Sequence, residues 1–311
     1  MRKFLILAIG ALLSISRAPA QTVSAAPAKV IFDTDIGDDI DDAYALALLL
    51  KSPEVNILGV TTAFGDTQLR ARLASRMLLD TGHASIPVYA GPTTKVSKPL
   101  TQAAWALASP EKHYPDAIPF ILETIRRNPG EITLISVAPL TNVGALLRTD
   151  PATFRKLKRV VMMGGSVHRG YGDENGGHPE PEWNIIGDIP AAQALFNSGV
   201  PLYVMPLDST QILLNKDLQK TLFARNSVLT NDLQELTRQW TASTHYDTPT
   251  LYDAVATAYA LRPALCPMTS MRILVDDKGM TKQVDGRPNA HVCLNSNAST
   301  FLDFYLQRVE K

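Results

Sequence analysis

Asp33-Thr-Asp-Ile-Gly-Asp-Asp-Ile-Asp-Asp-Ala43 carries six carboxylates, Asp33, Asp35, Asp38, Asp39, Asp41 and Asp42, within ten residues. A strand-like piece, Lys29-Val-Ile-Phe32, precedes it, and an apolar helix-like piece, Ala43-Tyr-Ala-Leu-Ala-Leu-Leu-Leu50, follows. The pattern predicts strand, tight turn, helix, with the acids at the carboxyl end of the strand, the edge where open α/β sheets bind ligands. Two carboxylates about 6 Å apart repel by roughly 3 kcal/mol at an effective dielectric near 20, so the cluster calls for a cation. It contains no His or Cys, and hard oxygen donors suit calcium or magnesium better than zinc. The plain alternative is a solvated acidic turn in which Asp41 and Asp42 favour a helix N-terminus. An EF-hand is excluded, because it needs glycine at the sixth loop position and glutamate at the twelfth, and counting from Asp33 these are Asp38 and Tyr44. A haloacid dehalogenase-type phosphatase, with Asp33 as nucleophile and Asp35 two residues on, stays open at this point.

Outward from this stretch, strand-like runs alternate with amphipathic helical ones. Val55 to Thr62, Ile86 to Ala90, Ile132 to Val137, Arg159 to Met163 and Leu202 to Pro206 read as strands. In the segment from Thr67 to Leu79, Leu69, Leu73 and Met77 share one face, with Arg70, Arg72 and Arg76 on others. The alternation predicts an α/β fold, a mostly parallel sheet with helices on both faces. Without a repeat, low-complexity tract or linker, a single domain over residues 29–311 is expected. The strand ends are again polar: Gly65-Asp66, Pro139-Leu-Thr-Asn142, Gly164-Gly-Ser166 and Asp208. A glycine-rich run from Ser166 to Glu182 reads as a binding loop or lid, or as a surface excursion.

The chain has 311 residues, 45% apolar and 19% charged, with a formal net charge of zero. Balanced charge argues against a nucleic-acid partner, whose phosphates would select a basic face. Residues 1–20 read as a signal peptide: Arg2 and Lys3, then apolar Phe4 to Leu13, then a small-x-small site at Ala18-Pro-Ala20. The apolar run is too short to span a bilayer. The expectation is a periplasmic or secreted protein, free of the membrane after cleavage. Cys266 and Cys293 could pair in an oxidising compartment or pack as free thiols, and both readings stay open.

The acidic stretch resembles the opening motif of the nucleoside hydrolases (inosine-uridine-type nucleoside N-ribohydrolases), Asp-x-Asp-x-Gly-x-Asp-Asp before an apolar helix. Asp33, Asp35 and Gly37 match its left half and Asp41, Asp42 and Ala43 its right half, with two extra residues between. Further segments match in chain order: Pro87 to Gly91, Pro139-Leu-Thr-Asn142, Met163-Gly-Gly165, Glu182-Trp-Asn184 and Tyr252-Asp253. The phosphatase reading offers no account of these. The resemblance implies calcium-dependent hydrolysis of the N-glycosidic bond of a small-molecule nucleoside, giving ribose and free base, in a homo-oligomer, dimer or tetramer. It implies metal binding by Asp35, Asp42, Asp253 and the Thr141 carbonyl, with Asp35 as base toward the attacking water. It implies ribose contacts from Asp41, Glu182 and Asn184. Asp66 stands where asparagine is usual, and Asn175 is the approximate counterpart of a loop asparagine. Tyr252 occupies the position of a histidine and is the candidate acid for the leaving base, against a purely structural helix position; His245 is the competing donor. The alternative from another class is an exported ribose- or nucleoside-binding protein without turnover.

Overall fold

The computed structural model describes residues 26–96, 98–172 and 177–311. The expected leader and Asn175 lie outside the described residues. Nine strands, β1 (Ala28–Thr34), β2 (Val55–Thr62), β3 (Val88–Ala90), β4 (Thr133–Ser136), β5 (Arg159–Met163), β6 (Leu202–Met205), β7 (Met268–Val275), β8 (Thr281–Val284) and β9 (Ala290–Cys293), form one sheet. Their order is β3-β2-β1-β4-β5-β6-β9-β7-β8. Every pair from β3 through to β9 is parallel, while β7 pairs antiparallel with both β9 and β8. The expected α/β architecture with a mostly parallel sheet is therefore observed. The antiparallel hairpin at one edge is an addition to it, a frequent extension of doubly wound sheets. Its strand β7 alternates partly exposed with buried positions, as one face against a core requires.

Strand order reverses between β1 and β4, so the crevice beyond their carboxyl ends is the topological switch point. The last five residues of β1 are fully buried, as a central parallel strand demands. Register sets Asp33 beside Thr61 of β2 and Ser136 of β4. The chain then turns at Gly37, whose φ of 118° favours glycine. It enters the helix Asp41–Leu50, buried at all ten positions, an apolar cylinder inside the domain rather than an amphipathic surface helix. The second such helix, Tyr252–Leu261, is buried from Asp253 to Ala260 and packs against the first. Their N-termini meet at the crevice, where the Asp253 backbone N–H donates to Asp41 Oδ2 at 3.2 Å. No helix among the described residues is long and apolar enough to cross a membrane.

Cys266 and Cys293 form a disulfide, with Cα atoms 5.8 Å apart, tying the segment that enters β7 to the end of β9. Closing a 27-residue separation limits the unfolded chain and stabilises the fold by about 3.5 kcal/mol in the loop-entropy account. The paired Cys266→Ala, Cys293→Ala variant is expected to melt about 5–10 °C lower. An unchanged melting temperature in calorimetry would show that the bond constrains nothing.

Candidate active site

The crevice is a cavity of about 310 Å³. Its floor carries Asp35, Asp41, Asp42 and Asp253, with Val137 beyond β4 and Met163 at the end of β5; Glu182 and Asn184 form one wall. Its mouth is aromatic: Tyr171, Trp183, Trp240, Tyr246 and Tyr252 line it, together with Asp38, Asp39, Lys98 and Thr244.

Carboxylate oxygens of Asp41, Asp42 and Asp253 lie within 4.8 Å of one another, and all three residues are buried. Each sits in the first turn of one of the two buried helices. The helix dipoles ease the placement but do not offset it. Burial first, then repulsion among these carboxylates, Asp39 and Asp35, hold the carboxyls well above the usual range. Thr34 Oγ1 donates to Asp42 Oδ1 and orients it. Asp35 is pushed up to about 6 by burial, against the pull of the Arg70 guanidinium. Glu182 caps the short helix Trp183–Ile186, accepting from the backbone N–H groups of Gly165 (2.8 Å), Asn184 (2.9 Å) and Ile185 (3.2 Å). Burial outweighs these donors and raises it to about 7. Asn184 Nδ2 donates to the Met163 carbonyl at 3.2 Å. The glycine-rich run thus ends as a rigid wall.

Asp33, the nucleophile of the phosphatase reading, lies beneath the cavity and does not line it. It is fully buried, and its Oδ1 accepts from Thr61 Oγ1 (2.6 Å) and Asn142 Nδ2 (2.7 Å). A Cβ at residue 91 would stand 1.9 Å from Asn142 Oδ1, which is why glycine is needed there. This is a bracing hub under the site, and a nucleophile could not reach a substrate from it.

The model of the inosine-uridine preferring nucleoside hydrolase family matches residues 30–303, nearly all of the described chain. The chain belongs to this family. A solved plant nucleoside hydrolase superposes with a TM-score of 0.79 at 25% identity, over 91% of this chain and 99% of that one. The pyrimidine-specific ribonucleoside hydrolase RihB of Escherichia coli is 32% identical over 203 residues, 58% of this chain and 60% of its own length. An uncharacterized protein of Schizosaccharomyces pombe is 36% identical over 200 residues, 60% of this chain and 63% of its own length. The sequence matches thus span about three-fifths of these curated relatives.

Against the nucleoside hydrolase pattern, the structure brings Asp35, Asp41, Asp42, Glu182, Asn184, Tyr252 and Asp253 into one cavity. Three expected residues stand apart. Asp66 is the N-cap of the helix Thr67–Asp80, where its carboxylate accepts from Leu69 N–H at 3.0 Å, and it does not line the cavity. His245 is exposed: it ends the helix Val228–Thr244 in a left-handed conformation (φ 63°), and Thr244 and Tyr246 face the cavity on either side of it. Thr141 is buried at the start of the helix Thr141–Thr149 and does not line the cavity. Asp41, expected at the sugar, lines the cavity and also stands in the tight acid group. Trp240 and Tyr246 escaped the sequence reading because nothing local marks a ring some 200 residues from the acidic turn as its neighbour.

Proposed function

We propose that this chain hydrolyses the N-glycosidic bond of ribonucleosides with a calcium ion held at the acid group. The observation that carries the reading is the convergence of Asp41, Asp42 and Asp253 from two buried helix N-termini on one cavity. Oxygens around one calcium at about 2.4 Å stand at most about 4.8 Å apart, which fits the spread of this group. All the donors are hard oxygens, and the buried acids far outnumber buried cations, so the set suits a divalent cation. Asp35, Asp42 and Asp253 would hold the ion, with the Thr141 carbonyl as a further donor and Asp41 beside them. Bound there, calcium supplies Lewis acidity that orients and acidifies a water.

The remaining steps belong to side chains. Asp35, beside the acid group, also takes the proton of the attacking water. Glu182 and Asn184, with Asp41, grip ribose hydroxyls. Developing positive charge on the sugar is favoured by the surrounding carboxylates. The aromatic mouth takes the flat base. Tyr171 and Tyr252 meet edge to face with centroids 6.1 Å apart, which leaves ring faces for stacking. Membership in a family of hydrolases supports turnover over the binding-protein alternative.

The test is release of free ribose from inosine and uridine, with and without a chelator. Release that chelation abolishes and calcium restores is expected. Tight nucleoside binding without any ribose would instead identify a binding protein. Export to the periplasm or medium, supported by the disulfide, and self-association as a dimer or tetramer belong to the same proposal. Cell fractionation and sedimentation check them.

A further inference from the structure

We propose that Arg70 is a positioning residue that presents Asp35 to the cavity and braces the Trp183 wall; the proposal rests on the hydrolase reading above. Arg70 is 3% exposed and is the one buried lysine or arginine among the described residues. It lies on the buried stripe of the helix Thr67–Asp80 with Leu73, Ala74 and Met77. An arginine there must spend its donors on protein acceptors, and its planar fork can serve several at once.

The acceptors are backbone carbonyls of two loops that build the site. Nη1 donates to the carbonyl of Asp35 and, at 3.2 Å, to that of Ile36. Nε donates to the carbonyl of Phe64 at 2.8 Å. The first two carbonyls belong to the turn just past β1, where regular sheet pairing has ended. One guanidinium therefore fastens the acidic turn to the turn that follows β2. Nη2 stands 3.9 Å from Asp35 Oδ2, too far to occupy that oxygen yet near enough to attract it. Asp35 is thus held by its main chain, with its carboxylate free for the cavity.

Phe64 carries the effect to the opposite wall. Its φ is 63°, a left-handed conformation that is uncommon for a bulky side chain and persists where neighbours fix it. The Arg70 bond to its carbonyl is one such fixture. In that pose the Phe64 ring meets Trp183 edge-on, with centroids 5.6 Å apart and planes at 80°. Trp183 lies between Glu182 and Asn184 and lines the cavity itself. A lysine could reach one of these carbonyls and would leave the two loops unlinked.

Arg70→Met, Arg70→Lys and Arg70→Ala are to be compared with the wild type in ribose release and in calorimetric titration of calcium into chelator-treated protein. Arg70→Met is expected to lose about 100-fold in kcat with KM within about threefold, since a displacement near 1 Å costs that much. Arg70→Lys should recover less than a tenth of the wild-type kcat. Arg70→Ala should regain activity severalfold with millimolar guanidinium chloride, and none with equal sodium chloride. Calcium affinity of Arg70→Met should fall about tenfold, as for other supports of metal ligands. A residue acting through charge alone would give the opposite sign, because losing a cation favours binding another. Wild-type kcat in Arg70→Met, full activity in Arg70→Lys, or unchanged or tighter calcium binding overturns the proposal. Should Arg70→Ala fail to fold, the Lys and Met variants still decide. The calcium titration needs no turnover, so a wild type that binds calcium and releases no ribose sinks the hydrolase reading and leaves Arg70 decided by the titration.

Discussion

Asp42→Asn is expected to abolish stoichiometric calcium binding and to lower ribose release at least about a thousandfold, a loss of roughly 4 kcal/mol of transition-state stabilisation. Asp42 is 2% exposed and stands in the first turn of a helix whose every residue is buried. Asparagine keeps its shape and can still accept from Thr34 Oγ1, so the fold should persist. What goes is one of three charges on the convergent group. Stability should move the other way once calcium is stripped. Buried carboxyls raised in the folded state, such as Asp35 to about 6 and Glu182 to about 7, stabilise the fold at pH below their unfolded values. That contribution is lost as pH rises through the folded values, because ionisation then favours the unfolded chain. The chelated wild type should therefore melt at progressively lower temperature between about pH 4.5 and 7. Chelated Asp42→Asn, with less repulsion, should lose less. Calcium should raise the melting temperature of the wild type at pH 7 and leave the variant unmoved. Full calcium occupancy of the variant by elemental analysis would refute the ligand assignment.

Much of this site is legible in the sequence because its parts are local and constrained. A strand buried over its last five residues, a glycine at positive φ and an all-apolar helix leave little choice about where the intervening acids point. What escapes is decided by partners distant in the chain. In the sequence Arg70 reads as lying on a face other than that of Leu69, Leu73 and Met77, and arginine is usually exposed. Its helical spacing to Leu73, Ala74 and Met77 puts it on the core side, and carbonyls of two other segments make that tolerable. Asp66 followed by a helix carries the same letters whether it touches a sugar or caps the helix, and the bond to Leu69 N–H selects the cap. His245 directly follows the last residue of its helix in a left-handed conformation, and Thr244 and Tyr246 on either side line the cavity. The hairpin of β7 and β8 alternates too weakly to mark it as strand in the sequence; it closes one edge of the sheet and brings Thr281 Oγ1 to Ser166 N–H at 2.7 Å, beside the glycine turn after β5.

Tyr252→Phe is expected to slow hydrolysis of inosine and uridine by about 100-fold, the low end of what a placed acid contributes. Tyr252 begins the helix whose next residue is Asp253, and it lines the cavity beside the acid group. Burial, with Asp41 and other carboxylates nearby, pushes its phenol up to about 12. The side chain is therefore neutral across the working pH range and keeps its proton to offer. The same shift makes it a weak acid, so it stabilises the departing base by a hydrogen bond more than by complete transfer. Tyr171 is the neighbouring ring; its hydroxyl accepts from Trp183 N–H at 3.1 Å and keeps its own proton, which makes Tyr171→Phe the control for a second donor. His245 is exposed and outside the cavity lining. Phenylalanine keeps the edge-to-face contact with Tyr171 and removes only the hydroxyl, which separates donation from packing. A nitrophenyl riboside needs no proton on its leaving group, so its hydrolysis should change by less than about threefold in the same variant. Parallel kcat measurements on the natural nucleosides and the nitrophenyl riboside decide the matter. Equal slowing of both would mean that the hydroxyl positions the substrate and that the base leaves without a proton from it.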